Sequence, residues 1–419
     1  MASQTRPIGA NFKYSDVPPD IEIRPHNFVS QDGAASKGML YVKKGTKPRI
    51  GVHVMHPRTD QTQNYNLLSM AEAGFAALGR AGRWVNNDVG CIHEQILLDV
   101  AEGVRFLREE VGCESVILIG NSGGSSLGAF YQWQARQDPS ARFTHTPAGD
   151  PFDLNGYSLP PADGVALIGG HVGEGELLMK WIDPSVADEG NPLSIDPELD
   201  MYDPDNGYRG AGRTTYDPDF LERYREGQRS RVRRIDAVAQ QMVDSARQAK
   251  DLAAGLSEDT PQRRALLRQA RAGWHLVIYR TCADPAMADL SIDPDDRYPG
   301  NYLEVDPQLE NAGTKGFAHY LTPRAWLSTW SGLSSRVRTL DALSRIPDPV
   351  IVVHYAGDAG CRLSEAKAMV DSVKGDGTLH VVRNADHYGY QLLGDLTWGP
   401  RTHEGTDAIR EWALERFSG

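Results

Sequence analysis

The chain has 419 residues, of which 40% are hydrophobic and 24% are charged, and its formal net charge is −12. This length allows roughly two to three domains of ordinary size. An acidic surface argues against nucleic acid as the main partner. The chain contains no apolar run close to the ~20 residues that span a bilayer, so the sequence predicts no membrane partner.

The cysteines and the first residues bear on the cellular compartment. Cys91, Cys113, Cys282 and Cys361 lack the spacing of a metal site or a redox motif. The first residues, MASQTRP, lack the basic-then-apolar pattern of a signal peptide. We therefore expect reduced thiols and a cytoplasmic protein.

Short apolar runs in both terminal parts of the chain predict the strands of one sheet. The first two strands form a hairpin around a turn at Asp32-Gly33. The predicted strands cover residues 27–30, 38–42, 49–55, 75–78, 115–119, 165–168, 350–354 and 379–382. Helical spacing predicts helices from about residue 63, over 91–110 and over 404–417. Strands that alternate with helices indicate a mostly parallel sheet that is covered on both faces.

The middle of the chain, 181–330, has few such runs and many Asp-Pro, Gly and Tyr residues. One helix is predicted to begin with Asp217 as its N-cap and Pro218 at its first position, and a second to run from Thr260 to Ala272. The buried stripe predicted for the first helix is Ile235, Val238, Ala239, Met242, Val243 and Ala246. We interpret 181–330 as a large, mainly helical cap that is inserted between the two parts of a catalytic domain, 1–180 and 331–419.

Two sets of cap residues could contact a substrate. The aromatic set is Trp181, Tyr202, Tyr208, Tyr216, Trp274, Tyr279, Tyr298 and Tyr302, with Trp326 and Trp330 at the return to the core. The basic set is Arg223, Arg225, Arg229, Arg231, Arg233 and Arg234. We expect most of the aromatic side chains to pack the cap's own core, and the arginines to form a solvated face with Glu222 and Glu226. An aromatic pocket and an attraction for an anionic substrate are the alternatives.

The segment SVILIGNSGGSSLGAF, residues 115–130, contains a G-x-S-x-G motif centred on Ser122. A predicted strand leads into the motif and a plausible helix follows it, which is the context that a nucleophilic serine requires. Gly120 and Gly124 lack the Cβ atoms that would clash on so tight a turn. The sequence therefore predicts Ser122 as a nucleophile at the N-terminus of a helix.

A serine hydroxyl needs a base to take its proton, and the order of partners in such sheets is Ser, then Asp or Glu, then His. His387 follows the last predicted strand and is the predicted base. Asp358 follows the preceding strand in a glycine-rich loop, and we predict that it orients the imidazole. Glu174, after the strand at 165–168, is the main alternative acid, and Asp386 is a weaker one.

These segments together resemble the α/β-hydrolase superfamily, over residues 1–180 and 335–419. The matching pieces are GNSGG, VIVVHYAGD, NADH and HVMHPR, with the hairpin segment HNFVSQDGAASKGMLYV. The resemblance implies an oxyanion hole with one donor from the Gly123 backbone N–H. Many relatives have His-Gly where this chain has His56-Pro57, and proline has no N–H to donate. We predict the Arg58 amide as the second donor, with Thr59 as the alternative.

The predicted reaction is acyl transfer to Ser122 followed by hydrolysis, without a cofactor. The predicted substrate is a fairly bulky small molecule with a carboxylic ester, lactone or related acyl bond. His53, His93 and His171 lack the spacing of a metal motif, so no metal is expected. An acyltransferase or a C–C bond hydrolase with the same residues, and a non-catalytic ligand-binding protein, are the alternatives. The sequence does not define the oligomeric state.

Overall fold

The computed structural model describes residues 12–300, 306–390 and 400–418. The strands are β1 (Ile21–Val29), β2 (Ala35–Lys43), β3 (Ile50–Val54), β4 (Ala76–Ala81), β5 (Ser115–Asn121), β6 (Gly164–Ile168), β7 (Leu276–Val277), β8 (Tyr320–Leu321), β9 (Val350–Tyr355) and β10 (Gly377–Val382). The α-helices are α1 (Asn66–Glu72), α2 (His93–Glu109), α3 (Gly123–Arg136), α4 (Glu174–Trp181), α5 (Pro218–Ala254), α6 (Pro261–Ala270), α7 (Pro307–Ala312), α8 (Pro323–Ala325), α9 (Thr339–Leu343), α10 (Leu363–Ser372) and α11 (Pro400–Phe417). A π-helical turn, Trp326–Trp330, follows α8.

Eight strands form one sheet in the order β1-β2-β4-β3-β5-β6-β9-β10. The pairs β1·β2 and β2·β4 are antiparallel, and every other neighbouring pair is parallel. All residues of β3, β6 and β9 are buried, because helices cover both faces of the sheet. One face packs against α2, α3, α9 and α10, and the other against α1 and α11. The predicted mostly parallel sheet with flanking helices is confirmed.

The opening hairpin is longer than predicted. Strands β1 and β2 each have nine residues, and Gly33 turns the chain between them with a φ of 85°. Strand β1 lies at the edge of the sheet and fully buries only Ile21 and Phe28. Because half-exposed and exposed residues fill the rest of β1, no apolar run reveals its beginning.

The chain leaves the sheet after β6 and returns to it at β9, and α5 lies in the segment between them. The predicted start of α5 is confirmed, since the Asp217 carboxylate accepts the Asp219 backbone N–H at 2.8 Å and Pro218 is its first residue. Of the predicted stripe, Val238 is instead 45% exposed and Met242 is half-buried. The division of the chain at residues 180 and 330 remains a prediction.

The arginines of α5 do not form the uniform solvated face that the sequence predicts. Arg229 and Arg233 do pair with Glu226 at the surface. Arg231, in contrast, is fully buried and makes a two-pronged ion pair with Glu189 at 2.8 and 2.7 Å. Its guanidinium also donates to the carbonyl oxygens of Asp183 and Tyr279. The buried arginine therefore fixes the helix to the segments beside it, because each of its contacts is to another element.

Five of the ten aromatic residues that the sequence singles out in the middle segment are buried. They are Trp181, Tyr202, Tyr216, Trp326 and Trp330. Trp274 and Tyr298 are 48% and 38% exposed, and Tyr302 lies outside the described residues. All four cysteines are buried. No helix among the described residues combines the length and apolar character needed to cross a membrane.

Candidate active site

Ser122 lies on a tight turn between β5 and α3. Its φ of 53° and ψ of −121° are strained for a residue with a side chain, and the hydroxyl is only half-buried. A Cβ atom on Gly120 would lie 2.2 Å from the Gly124 carbonyl oxygen, and one on Gly124 would lie 2.5 Å from the Met55 carbonyl oxygen. The two glycines are therefore required for steric reasons, as the sequence indicates.

The structure brings the three predicted side chains together at the carboxyl edge of the sheet. His387 Nε2 lies 3.0 Å from Ser122 Oγ, and His387 Nδ1 lies 2.6 Å from Asp358 Oδ2. Asp358 follows β9, and its other oxygen accepts the backbone N–H groups of Gly360 and Cys361 at 2.7 and 3.0 Å. Since the carboxylate can only accept, Nδ1 of His387 carries the proton and Nε2 presents a lone pair to the serine.

Burial and the mutual interaction of Asp358 and His387 set their charge states. Burial alone would raise the pKa of Asp358, but His387 and the two backbone N–H groups outweigh it and hold the pKa below its ordinary value. Burial alone would lower the pKa of His387, but the Asp358 carboxylate outweighs it and the pKa lies above its ordinary value. Asp358 therefore stays ionised and stabilises an imidazolium at His387.

The two alternative acids have other contacts. Glu174, at the start of α4, is 1% exposed, and its Oε1 accepts a hydrogen bond from Arg58 Nη2 at 2.8 Å. Its second oxygen lies 3.5 Å from His93 Nε2. Asp386 accepts the backbone N–H groups of Tyr388 and Tyr390 at 3.0 and 2.9 Å, and so shapes the turn after β10. Of the acids that the sequence offers, Asp358 is the one hydrogen-bonded to His387 Nδ1.

The amides that the sequence suggests as oxyanion donors belong to two segments, the start of α3 and the turn after β3. Gly123 begins α3, directly after Ser122. The Arg58 backbone N–H, however, donates to His56 Nδ1 at 3.1 Å, and the alternative Thr59 N–H donates to the same atom at 3.1 Å. Because Pro57 has no N–H, these are the next two amides of the turn, and the imidazole of His56 accepts both. This role of His56 was not predicted, since nothing in the sequence indicates that its ring folds back over its own turn.

The Arg58 side chain lies inside the protein and is not a surface group. Its guanidinium pairs with Asp88 at 2.9 Å and with Glu174 at 2.8 Å. It lies over the Trp330 ring, 4.6 Å from the centroid, and 5.6 Å from the Phe317 centroid. Burial alone would lower the pKa of Arg58, but the two carboxylates outweigh it and raise the pKa. Arg58 therefore connects the loop after β3 with residues that precede β9.

His53, His93 and His171 each contact a different close neighbour. The His53 ring packs against Gly103, whose Cβ would lie 2.3 Å from His53 Cε1. His93 Nδ1 lies 3.0 Å from Thr329 Oγ1, and His171 Nδ1 accepts the Gly173 N–H at 3.2 Å. Within the described residues, the potential metal ligands that lie close together are instead Asp358, Cys361 and His387. Two of these three belong to the hydrogen-bonded set around Ser122.

Comparison with known proteins yields structural likenesses only. No family model and no curated protein sequence matches the chain. The structure of DcsB in complex with its substrate analogue has a TM-score of 0.50 and 12% identity, over 95% of this chain and 100% of that one. The α/β-hydrolase GrgF from Penicillium sp. sh18 has a TM-score of 0.49 and 12% identity, over 95% and 100% of the two chains. An esterase from Pyrococcus furiosus has a TM-score of 0.45 and 10% identity, over 100% and 99%. Identities this low bear on the fold alone.

Proposed function

Since this chain has the α/β-hydrolase fold, we propose that the protein is a serine hydrolase that acts through an acyl-enzyme at Ser122. The observation that carries the proposal is the continuous hydrogen-bonded series from Ser122 Oγ through His387 to Asp358, with separations of 3.0 and 2.6 Å. A serine on a strained strand-to-helix turn, within reach of a base that a carboxylate orients, is the arrangement that activates a hydroxyl for acyl transfer.

The proposed reaction uses these atoms in turn. His387 Nε2 takes the hydroxyl proton as Ser122 Oγ bonds to the acyl carbon, and Asp358 stabilises the resulting imidazolium. The imidazolium then gives the proton to the leaving group. Water, deprotonated by the same nitrogen, releases the acyl group. In this proposal the Gly123 N–H, at the first position of α3, binds the negative oxygen of the tetrahedral intermediate.

The proposed substrate is a fairly bulky small molecule with a carboxylic ester, lactone or related acyl bond. Support comes from the long excursion between β6 and β9, which supplies residues that contact Arg58 in the loop after β3. The proposed reaction uses no cofactor. A cytoplasmic location is part of the proposal, and the buried thiols of Cys91, Cys113 and Cys361, which form no disulfide, support it.

The test is labelling by a fluorophosphonate probe together with hydrolysis of nitrophenyl esters of increasing chain length. The wild-type protein should take the label, and Ser122→Ala should lose both the label and turnover. Ser140→Ala changes a serine in the loop after α3 and serves as the matched control, which should keep both. Product analysis with and without an added alcohol separates hydrolysis from acyl transfer. A folded wild-type protein that takes no label and cleaves no ester would contradict the proposal.

A further inference from the structure

The imidazole of His56 lies against the first turn of α3, beside the amide that follows the nucleophile. A Cβ atom on Gly123 would lie 3.0 Å from His56 Nε2 and 2.4 Å from Glu174 Oε1. Gly123 has no side chain, so the Nε2 edge of the ring approaches its backbone closely. His56 is 6% exposed, so its position is determined by the packing around it.

The hydrogen bonds of His56 determine which nitrogen carries the proton. Nδ1 accepts two backbone N–H groups, from Arg58 and Thr59, each at 3.1 Å. A nitrogen that accepts cannot also hold a proton, so the neutral ring is protonated at Nε2. Burial, followed by the positive charge of Arg58, lowers the pKa of His56 well below its ordinary value. The ring is therefore a neutral donor across the ordinary pH range.

Among the described residues the Nε2–H group has no hydrogen-bond acceptor, and Nε2 does not belong to the fully buried unpaired atoms, so it borders accessible space. Glu174 Oε1, the carboxylate oxygen near the same point, is already hydrogen-bonded to the Arg58 guanidinium at 2.8 Å. An N–H group that has no protein acceptor and borders accessible space beside Ser122 can donate a hydrogen bond to a substrate atom.

We propose that His56 Nε2–H is the second donor of the oxyanion hole and acts together with the Gly123 backbone N–H. This inference rests on the proposed serine hydrolase function. It assigns the second position to a side chain, because the Arg58 and Thr59 amides that the sequence suggested are both used to hold the ring. A fixed neutral donor suits this role, since it needs no reorganisation as charge develops on the oxygen.

The attack of Ser122 on the acyl carbon needs no proton from His56. As Ser122 Oγ bonds to the acyl carbon, the π electron pair of the carbonyl moves to its oxygen, and the serine proton moves to His387 Nε2. The new oxyanion accepts hydrogen bonds from Gly123 N–H and His56 Nε2–H. When the intermediate collapses, the electron pair returns to the carbonyl and the leaving group takes the proton from His387. His56 is therefore a catalytic residue that keeps its own proton throughout.

Two substitutions separate this role from a structural one. In His56→Asn, the amide oxygen can occupy the place of Nδ1 and keep both backbone N–H groups paired, but no donor remains at the place of Nε2. In His56→Gln, the amide nitrogen can occupy the place of Nε2, but the acceptor at Nδ1 is lost. We expect His56→Asn to lower kcat by about 10²- to 10³-fold, the usual effect of removing one oxyanion donor. The melting temperature and KM should change little. His56→Gln should be less stable and more active than His56→Asn.

A second measurement concerns the tetrahedral state directly. A boronic acid that adds to Ser122 presents an oxygen at the oxyanion position, so its affinity should fall in His56→Asn by a factor similar to the loss in kcat. A wild-type kcat in His56→Asn, or an unchanged boronate affinity, would overturn the inference. A wild-type protein without label or esterase activity would contradict the proposed function itself. If the wild-type protein takes the label but His56→Asn keeps its kcat and boronate affinity, only the role of His56 would be contradicted.

Discussion

At the scale of single residues, the region around Ser122 depends on three nearby positions that have no side chain. Gly120 and Gly124 permit the turn itself, and Gly123 admits Glu174 Oε1 and the His56 ring. The position after Ser122 is thus restricted by groups from two other segments and not by the turn alone. Neither contact is visible in the motif, because both partners lie far from it in the chain.

We predict that Gly123→Ala lowers kcat/KM by about 100-fold, because the new methyl group displaces Glu174 or His56 by a fraction of an ångström to an ångström. Gly128→Ala is the matched control on the same helix, since its Cβ would meet nothing closer than 3.8 Å. That variant should keep full activity and gain about 0.5–1 kcal/mol of stability. Esterase kinetics and chemical denaturation measure both effects. Equal activity of the two variants would refute the steric explanation.

The pH dependence of the reaction should report His387. The imidazole must be neutral to accept the serine proton, so kcat/KM falls as the pH drops below its pKa. Because Asp358 raises that pKa, the inflection should lie above the ordinary value of 6.5. Asp358→Asn removes the charge that raises it, so the inflection should move to lower pH while kcat falls by about 10⁴-fold. A pH–rate profile of an ester substrate tests this, and an inflection that stays unchanged in Asp358→Asn would contradict it.

The three hydrogen-bonded side chains could be found from the sequence because each follows a recognisable strand. Ser122, Asp358 and His387 come directly after or soon after β5, β9 and β10, and parallel strands bring their carboxyl ends to one edge. The proposed oxyanion donors could not be predicted in the same way. The place of an amide depends on a few backbone angles and on the ring of His56, for which a short motif carries no signal.

At the scale of helices and strands, the sequence predicts best the strands whose side chains are buried on both faces of the sheet. Strands β3, β5, β6 and β9 read as uninterrupted apolar runs because each lies between two helix layers. Strands β7 and β8 have two residues each and were not predicted, since so short a pair has no periodic pattern. The arginine-rich face of α5 was misinterpreted because the partners of Arg231 lie about 40 residues or more away in sequence.

We predict that Arg231→Leu destabilises the protein by about 3 kcal/mol, because it leaves Glu189 and three carbonyl oxygens without their buried donor. Arg233→Leu is the control on the same helix, where the side chain is 54% exposed. That change should alter stability by less than about 0.5 kcal/mol. Urea denaturation of both variants measures the difference. A cost for Arg231→Leu as small as for Arg233→Leu would show that its ion pair contributes little.

At the scale of the whole molecule, Arg58 joins parts of the chain that are distant in sequence. Its guanidinium is held by Asp88 and Glu174, and it faces the rings of Phe317 and Trp330. The loop after β3, the start of α4 and the segment before β9 therefore meet at one buried cation. Their relative positions are coupled, because none can move without breaking a contact to this group.

We predict that Arg58→Met costs about 3–5 kcal/mol, since it leaves the buried Glu174 carboxylate without its cation. Adding Glu174→Gln to that variant removes the unpaired charge, so the double variant should be more stable than Arg58→Met alone. A double-mutant cycle from denaturation curves gives the coupling between the two residues. Strictly additive costs would show that the two groups do not stabilise each other.

The burial of all four native cysteines has a practical consequence for measuring motion. Maleimide dyes react with accessible thiolates, and burial raises the pKa of the Cys91, Cys113 and Cys361 thiols. A pair of cysteines introduced at exposed sites, one on α6 and one on α10, would thus be the two fast-reacting thiols of the folded protein. Fluorescence energy transfer between their labels would follow the distance from α6, in the segment between β6 and β9, to α10, which packs on the sheet, while the protein turns over a substrate. No native residue would have to be removed.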